Sequence, residues 1–419
     1  MTRKLKFISL TIVTIFLTAS LFLIASATNN ESIMNSINAN LNVVNTNQFS
    51  TDTDKISELT KLYFYAQSEN YKSDNNLDLK QFFSNDKSKL SNIDYIKNKV
   101  RYFKSLKEHE KIKVLWDNVV VTINSININN NTAEVNAYVA KDIIFNDYKN
   151  GISSEGIENT VSLLKEQDIW KISNVISNDE FDKAYKNKNV DINQLISDIN
   201  YPQMANVQII KPNMVSPLFT QISYNRTTAA NYASTYTDNT GGSSTSAYNS
   251  LFVAYSGNDC MNYGSQSLFA GFGGSYTSQS AINNKSSPMV TTPTGRQWWA
   301  TSSTSDYNPA YGNGYNWANC IAFGQYFADS GNVGPVGTIY IGSISWADKG
   351  DLIHCRSGTT GEDWYHNMIV TNVSGTAGSR TLSNIWISAH TSNRKNYPLN
   401  SLFSSASYLR LFHISYFLQ

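Results

Sequence analysis

Cysteine, histidine and net charge are all scarce in this 419-residue chain, and each scarcity excludes a class of protein. Three cysteines are too few for a disulfide-stabilised scaffold, and their odd number leaves at least one thiol unpaired within the chain. A net charge of +1 gives no electrostatic reason to expect a nucleic-acid partner. No group of His, Cys and Asp has the spacing of metal ligands, so no metal or other cofactor is expected.

One long apolar run lies at the N-terminus and indicates export. Basic residues at Arg3, Lys4 and Lys6 precede the run, and the small residues of Ala25-Ser26-Ala27 follow it. This is the pattern of a secretory signal peptide with its cleavage site. We therefore predict a signal peptide over residues 1–27 and a secreted protein, extracellular or associated with the cell wall. The run is also long enough for an alternative, an uncleaved membrane anchor.

Periodicity predicts an N-terminal α+β domain without a catalytic constellation. Apolar residues recur at helical spacing from Asp54 and again from Ser91 to Leu106, and alternating strands follow from Val114 to Val175. Helices followed by a curved antiparallel sheet resemble the cystatin-like or nuclear-transport-factor-like fold. The predicted organisation is a signal peptide at 1–27, a flexible leader at 28–53, an accessory α+β domain at 54–200, a linker at 201–222 and a second domain at 223–419.

The second domain carries little charge. From Tyr224 onward there are only 9 basic and 8 acidic residues, and aromatic residues with Gly, Ser, Thr and Asn dominate. Such a surface suits the binding of a polar polymer made of peptide or sugar. It equally suits an ordinary secreted β-rich domain, so composition alone leaves both interpretations open.

A cysteine at a predicted helix start is the first candidate for catalysis. The segment from Asn258 to Gln266 predicts a loop that ends in a helix, with Cys260 on the first turn. Asp259 is a preferred N-cap residue, and we expect its carboxylate to accept the N–H of Met261 or Asn262. The partial positive charge at a helix N-terminus favours the nucleophilic thiolate. The alternative is a buried structural cysteine.

Two histidines are candidates for the groups that would activate this thiol. A cysteine nucleophile needs a base, and the base needs a group that orients it. His366 opens a predicted strand, and the next strand, from Leu382 to Ala389, ends at His390. The start of one strand and the end of its antiparallel neighbour lie at the same rim of a sheet. His366 and His390 should therefore be roughly opposite each other.

The other two cysteines compete with Cys260. Cys320 lies inside a helix predicted from about Trp317 to Ala328 and looks like a core residue. The alternation of apolar residues does not decide which face of its strand Cys355 occupies. A disulfide between Cys320 and Cys355 is a further alternative that the sequence does not decide.

Six short segments of the second domain carry a family resemblance. In the order in which they occur they resemble the motifs of the bacterial putative amidase domain family, which is related to the papain-like and NlpC-type cell-wall cysteine peptidases. The family usually has a small hydroxyl residue where Met261 stands and a β-branched residue where Gly264 stands. The six segments are Tyr224-Asn225-Arg226, Asp259-Cys260-Met261-Asn262-Tyr263-Gly264-Ser265-Gln266, Tyr315-Asn316-Trp317, Gly350-Asp351-Leu352-Ile353, His366-Asn367-Met368-Ile369-Val370-Thr371 and Ser388-Ala389-His390-Thr391.

The resemblance implies a papain-like α+β domain that hydrolyses an amide, with Cys260 as nucleophile and His366 as base. Its NlpC-type relatives imply His390 as the third catalytic residue. The papain-like proteases use an asparagine, for which Asn393 and Asn384 are the alternatives.

Supporting groups are expected beside the nucleophile. The backbone N–H of Cys260, at a helix start, is the natural oxyanion donor, with Asp259 and Asn262 supporting the site. Asp351 is expected to be structural.

These features predict an exported cysteine amidase or peptidase whose partner is a peptide or peptidoglycan substrate. One alternative is a non-catalytic wall-binding protein with a decayed site. The other is a transpeptidase that transfers the acyl group from the same thioester.

Overall fold

A large antiparallel sheet with helices on its faces forms the framework of the protein. The computed structural model describes residues 51–72, 79–148, 151–185, 191–200, 207–211, 219–237, 243, 245–255, 257–274, 298, 300, 315–329, 334–358, 361 and 363–418. The expected signal peptide, nearly all of the leader and much of the linker lie outside these ranges. No helix within the described ranges is long and apolar enough to cross a membrane.

The N-terminal part packs two long helices against a meander of four strands. Helices α1 and α2 place residues such as Leu59, Tyr63 and Ile96 in one core with Val135 and Trp170 of the sheet. Tight turns join β1 to β2 and β3 to β4, and Asn130, Gln167 and Asp168 in these turns have positive φ. The elements are α1 (Asp52–Lys72), α2 (Leu90–Glu110), β1 (Val114–Asn129), β2 (Thr132–Phe145), β3 (Ser153–Glu166), β4 (Ile169–Ser177), α3 (Glu180–Tyr185) and α4 (Ile192–Asn200).

The C-terminal part surrounds its strands with short helices. Asn225 caps the first of these helices by accepting the N–H of Thr228. The helices are α5 (Arg226–Thr235), α6 (Cys260–Gly271), α7 (Tyr315–Ala318) and α8 (Cys320–Ala328). The strands are β5 (Gln208–Ile210), β6 (Gln221–Ser223), β7 (Gly334–Ile341), β8 (Leu352–Cys355), β9 (His366–Val373), β10 (Ile385–Ala389), β11 (Asn393–Pro398) and β12 (Leu409–Leu418).

The two parts share a single sheet. Among the described strands the order is β1-β2-β3-β11-β10-β9-β8-β12-β7-β5, with β4 paired to β3 and β6 paired to β12. The junction is the antiparallel pair of β3 and β11, in which Asn393 lies opposite Gly156 and Arg394 lies opposite Glu155. This pairing brings the end of β4 and the helix α3 that follows it close to the first residues of β9.

The mixed helix and strand architecture expected from the sequence is present. The helix expected at Cys260 begins at that residue and ends at Gly271. Two boundaries were wrong. The helix expected from Trp317 to Ala328 is broken at Asn319, whose side chain accepts the N–H groups of the next helix. The strand expected from Leu382 begins at Ile385, after a turn of 3₁₀ helix.

Candidate active site

Cys260 is the first residue of α6 and is held against the sheet. Its side chain is buried, with 7% of the residue exposed. The side-chain amide of Asn367 on β9 donates to the carbonyl oxygen of Cys260 at 3.0 Å. Helix and strand approach this closely because Gly264 has no side chain, since a Cβ there would lie 2.4 Å from Nδ2 of Asn367. The departure from the family pattern at Gly264 thus fits the packing of α6 on β9.

His366 opens β9 and lies next to the thiol. The imidazole is fully buried and lies close enough to Cys260 to lower the pKa of the thiol, in addition to the larger effect of Cys320 described below. Among the described residues, neither ring nitrogen has a partner within standard hydrogen-bond geometry, so the imidazole acts on the thiol as a close neighbour rather than through a formed hydrogen bond. The closest carboxylate is that of Glu180, whose Oε1 is 3.6 Å from Nε2. The structure therefore brings together the predicted nucleophile and the predicted base.

A second cysteine lies beside the first. The sulfur atoms of Cys260 and Cys320 are 3.9 Å apart, and all three cysteines are free. A hydrogen bond from Cys320 is the largest cause that holds the pKa of Cys260 well below its usual value, followed, against the effect of burial, by His366 and Lys183. The same contact and burial raise the pKa of Cys320. Burial also raises the pKa of Cys355, so Cys260 is the acidic thiol of the three.

Glu180, at the start of α3, belongs to a buried ionic cluster that joins the two parts. Arg394 donates to it through Nη2 (2.9 Å, to Oε2) and Nε (3.3 Å, to Oε1). Arg394 also donates to Glu155 on β3, and Lys141 lies 2.8 Å from the same carboxylate. We call Glu155, Glu180 and Arg394 the Arg394 cluster. Burial raises the pKa of both glutamates, but their cationic neighbours outweigh it and hold both pKa values below the usual range.

His390 does not contact His366, contrary to the expectation that it orients the base. Its Nδ1 is 2.7 Å from Oδ2 of Asp259, and its Nε2 donates to the carbonyl of Tyr236 at 2.5 Å. The rings of Tyr248 and Tyr263 stack on its two faces, with centroids 3.8 and 3.7 Å away.

Strand register explains this position of His390. Ser388 lies opposite Ile369 in the pair of β10 and β9. Continuing that register by two residues places His390 opposite Asn367, which faces α6. His390 is therefore opposite Asn367 rather than His366, one residue away from the pairing that a contact between the two histidines would need.

Asp259 supports the site in a different way from the one expected. It has helical backbone angles and forms no capping hydrogen bond with its side chain. Its carboxylate instead accepts from the backbone N–H of Tyr255, from Nδ2 of Asn262 and from His390. Asn262 in turn accepts from the indole of Trp317. Asp259 and Asn262 therefore fix the loop and the first turn that carry Cys260.

The two asparagines considered as third residues are engaged elsewhere. Asn384 caps the turn at Thr381 and is remote from His366. The Nδ2 of Asn393 is 3.5 Å from the hydroxyl of Tyr138. Neither is placed to orient the base.

The remaining histidines of the C-terminal part have other partners. His413 lies 2.8 Å from Asp351, whose carboxylate also accepts from Arg226 and from backbone N–H groups, which gives Asp351 the structural role expected of it. His354 lies beside Arg410, and burial together with that arginine holds its pKa well below the usual value. Within the described ranges no three His, Cys, Asp or Glu side chains are grouped as a metal site.

Sequence reasoning missed three neighbours of the Cys260–His366 pair. Glu180 and Lys183 lie on a six-residue helix of the N-terminal part, where no motif marks them. Cys320 was interpreted as a core residue inside a helix. It does belong to the core, but it is also the first residue of α8, and Asn319 before it was the available signal of a helix start.

Comparison with known proteins supports the C-terminal resemblance. Residues 223–413 match the sequence model of a family described as putative amidase domain. The resemblance expected from the sequence is confirmed for this part of the chain, and the match suggests amidase-type hydrolysis. No match was found among curated proteins or among solved structures.

Proposed function

Starting from residues 223–413 as a putative amidase domain, we propose that this chain is an exported cysteine amidase or peptidase that hydrolyses amide bonds in cell-wall peptides. The observation that carries the proposal is the adjacency of Cys260 and His366 in a buried site where the pKa of the thiol is depressed. A thiol that is acidic, buried and next to an imidazole is the arrangement that nucleophilic catalysis by cysteine requires.

The positions of the two residues in the fold support a papain-like domain. The nucleophile lies on the first turn of α6, that helix packs against β9, and the base is the first residue of β9. A helix N-terminus favours a thiolate, and a strand end holds the imidazole rigidly beside it.

In the first half of the proposed reaction the thiolate of Cys260 attacks the carbonyl carbon of the substrate amide. The resulting oxyanion is stabilised by the backbone N–H of Cys260 at the helix start. The bond between carbon and nitrogen then breaks, and the imidazolium of His366 gives its proton to the leaving amine. The products of this step are a free amine and a thioester on Cys260.

In the second half a water molecule attacks the thioester. His366, now neutral, takes a proton from that water, and the bond between carbon and sulfur breaks. The acyl group leaves as a carboxylic acid, the thiolate is restored, and the imidazole is again protonated. The cycle consumes one amide bond and one water molecule.

Export and composition support a wall peptide as the substrate. The basic residues, apolar run and Ala25-Ser26-Ala27 of the N-terminus favour secretion. The low charge and the many aromatic residues from Tyr224 onward suit a polar polymer.

N-terminal sequencing of the protein in the medium should find a mature chain that starts at about Thr28. An intact Met1 in the membrane fraction would contradict secretion.

The activity is tested by mass spectrometry of purified cell wall after digestion by the intact protein and by Cys260→Ala. Ser267→Ala is a matched control, because it also removes a polar group from α6, and the hydroxyl of Ser267 donates to the carbonyl of Tyr263 within the same helix. We expect new peptide fragments with the parent and with Ser267→Ala, and none with Cys260→Ala.

The masses of the fragments separate the proposed reaction from its alternatives. Hydrolysis in heavy-oxygen water places the label in the new carboxyl groups. Transpeptidation gives cross-linked products without label. Fragments that form equally with Cys260→Ala would refute a cysteine mechanism, and intact wall after digestion by the parent would leave the non-catalytic wall-binding alternative.

A further inference from the structure

A glutamate from the N-terminal part lies near Nε2 of the candidate base. Oε1 of Glu180 is 3.6 Å from Nε2 of His366, and both residues are buried, with exposures of 5% and 0%. The carboxylate is held from behind by two donors of Arg394, and the hydroxyl of Tyr365 donates to the backbone carbonyl of Glu180 at 3.1 Å. These contacts therefore hold the carboxylate of Glu180 in a fixed position near Nε2 of His366.

We propose that Glu180 is the positioning residue of His366: its carboxylate accepts the Nε2–H of the imidazole and so directs Nδ1 at the thiol of Cys260. This inference rests on the proposed function. The separation of 3.6 Å is longer than a hydrogen bond, and a shift of about 0.5–1 Å would close it, as happens when catalytic hydrogen bonds tighten in the substrate complex.

The residues first considered for this role are not available. The ring nitrogens of His390 lie against Asp259 and the carbonyl of Tyr236, Asn384 caps a turn, and Asn393 faces Tyr138. Glu180 is the carboxylate found within 4 Å of His366 among the described residues.

A carboxylate in this position has a definite chemical effect. The carboxylate stabilises the imidazolium of His366, and the imidazolium stabilises the neighbouring thiolate. The negative charge of Glu180 should therefore lower the pKa of Cys260 indirectly, by way of His366. Among the described residues, His354 and Cys355 of β8 lie beside His366, Lys183 of α3 acts on Cys260, and Arg394 of β11 pairs with Glu180. The acidic group next to Nε2 within these ranges is Glu180.

The consequence is that the active site is shared between the two parts of the chain. The family match begins at residue 223, whereas Glu180 and Lys183 precede it. The pairing of β3 with β11 and the Arg394 cluster hold α3 in place. The N-terminal part would then complete the catalytic site rather than act only as an accessory module.

The test measures how the alkylation rate of Cys260 by iodoacetamide depends on pH in the full-length chain, with peptide mass spectrometry to identify the labelled cysteine. For Glu180→Gln we expect a rate about tenfold lower or more below neutral pH, because an opposite charge at this range commonly shifts a pKa by one to three units. At alkaline pH the alkylation rate of the variant should equal that of the parent, because the thiol of Cys260 is then ionised whether or not the carboxylate is present. Glu180→Asp, which keeps the charge, should lie between the two and covers the case in which Glu180→Gln does not fold.

The matched control is Glu155→Gln. It removes another buried carboxylate from the same arginine, and Glu155 belongs to β3, away from the imidazole. Its alkylation profile should keep the shape of the parent. If it shifts as far as Glu180→Gln, or if Glu180→Gln superimposes on the parent, the proposal is overturned.

A fourth variant separates this inference from the proposed function. His366→Asn should slow the alkylation of Cys260 below neutral pH, since the cation beside the thiol is lost. If it does so while Glu180→Gln does not, the proposed function stands and the positioning role fails. If His366→Asn leaves the profile unchanged, the Cys260–His366 pair itself is refuted.

Discussion

Replacing Cys320 with alanine should make Cys260 a weaker acid. The sulfur atoms of the two residues are 3.9 Å apart, and the hydrogen bond from Cys320 is the largest of the causes that lower the pKa of Cys260. Cys320 itself is held in the thiol form, because its own pKa is raised. It is therefore a donor to the thiolate rather than a competitor for the same role.

The expected change in the pKa of Cys260 can be worked out from the strength of the hydrogen bond that the thiol of Cys320 donates. A hydrogen bond to a charged group contributes about 1.5–3 kcal/mol, and a thiol is a weak donor, so we take about 1 kcal/mol for this pair. Since 1.36 kcal/mol corresponds to one pKa unit, the ratio of thiolate to thiol should fall about fivefold. The loss should be confined to pH values at which the thiol of Cys260 is not fully ionised.

The assay is again alkylation of Cys260 as a function of pH, with Cys320→Ala, Cys320→Ser and Cys355→Ala compared. Cys320→Ser keeps a hydroxyl donor, so its alkylation rate should fall less than that of Cys320→Ala. Cys355→Ala removes another buried thiol and should stay close to the parent. A Cys320→Ala profile that superimposes on the parent would refute the reasoning. A rate lowered equally at all pH values would point to altered access instead.

Three further predictions concern stability. His390→Ala should leave the buried carboxylate of Asp259 without one of its hydrogen-bond partners, at a cost of about 1–3 kcal/mol in the free energy of unfolding, and a urea midpoint equal to that of the parent would contradict this. Gly264→Ala should force a Cβ against Asn367 and cost about 1–3 kcal/mol in thermal unfolding, and an unchanged melting temperature would show that α6 and β9 have room. In the Arg394 cluster the pKa values of Glu155 and Glu180 are lower in the folded protein than in the unfolded chain. The two carboxylates therefore stabilise the fold fully above about pH 4.3, the pKa of an unfolded glutamate, and this contribution is lost as the pH falls through their pKa values in the folded protein. Thermal melts over an acid series, with Glu155→Gln as the comparison, should show this loss, and equal acid sensitivity of that variant would contradict it.

Local patterns were enough to single out Cys260 and His366 as candidate residues. The helix that starts at Cys260 and ends at Gly271 follows from apolar spacing and a glycine stop. The placement of His366 and His390 at one end of a hairpin follows from antiparallel geometry alone. The pattern could not give the register, and a difference of one residue decides which residue of β9 lies opposite His390.

The contacts that tertiary structure decides were not accessible from the sequence. Asp259 has the identity of an N-cap residue, yet its carboxylate is drawn away from the helix by His390 and by the N–H of Tyr255. Glu180 reaches His366 because β3 pairs with β11, which joins segments that are far apart in the chain. No local periodicity reports a pairing of that kind.

The most direct test of the proposed cysteine mechanism is whether an acyl group forms on Cys260. The protein would be mixed briefly with wall peptides, quenched in acid and analysed by mass spectrometry, both intact and after proteolysis. We expect a transient mass increase equal to the acyl part of the substrate, located on the peptide that contains Cys260 and absent from Cys260→Ser. Amide hydrolysis that continues in Cys260→Ser, with no acylated peptide in the parent at any time, would contradict it.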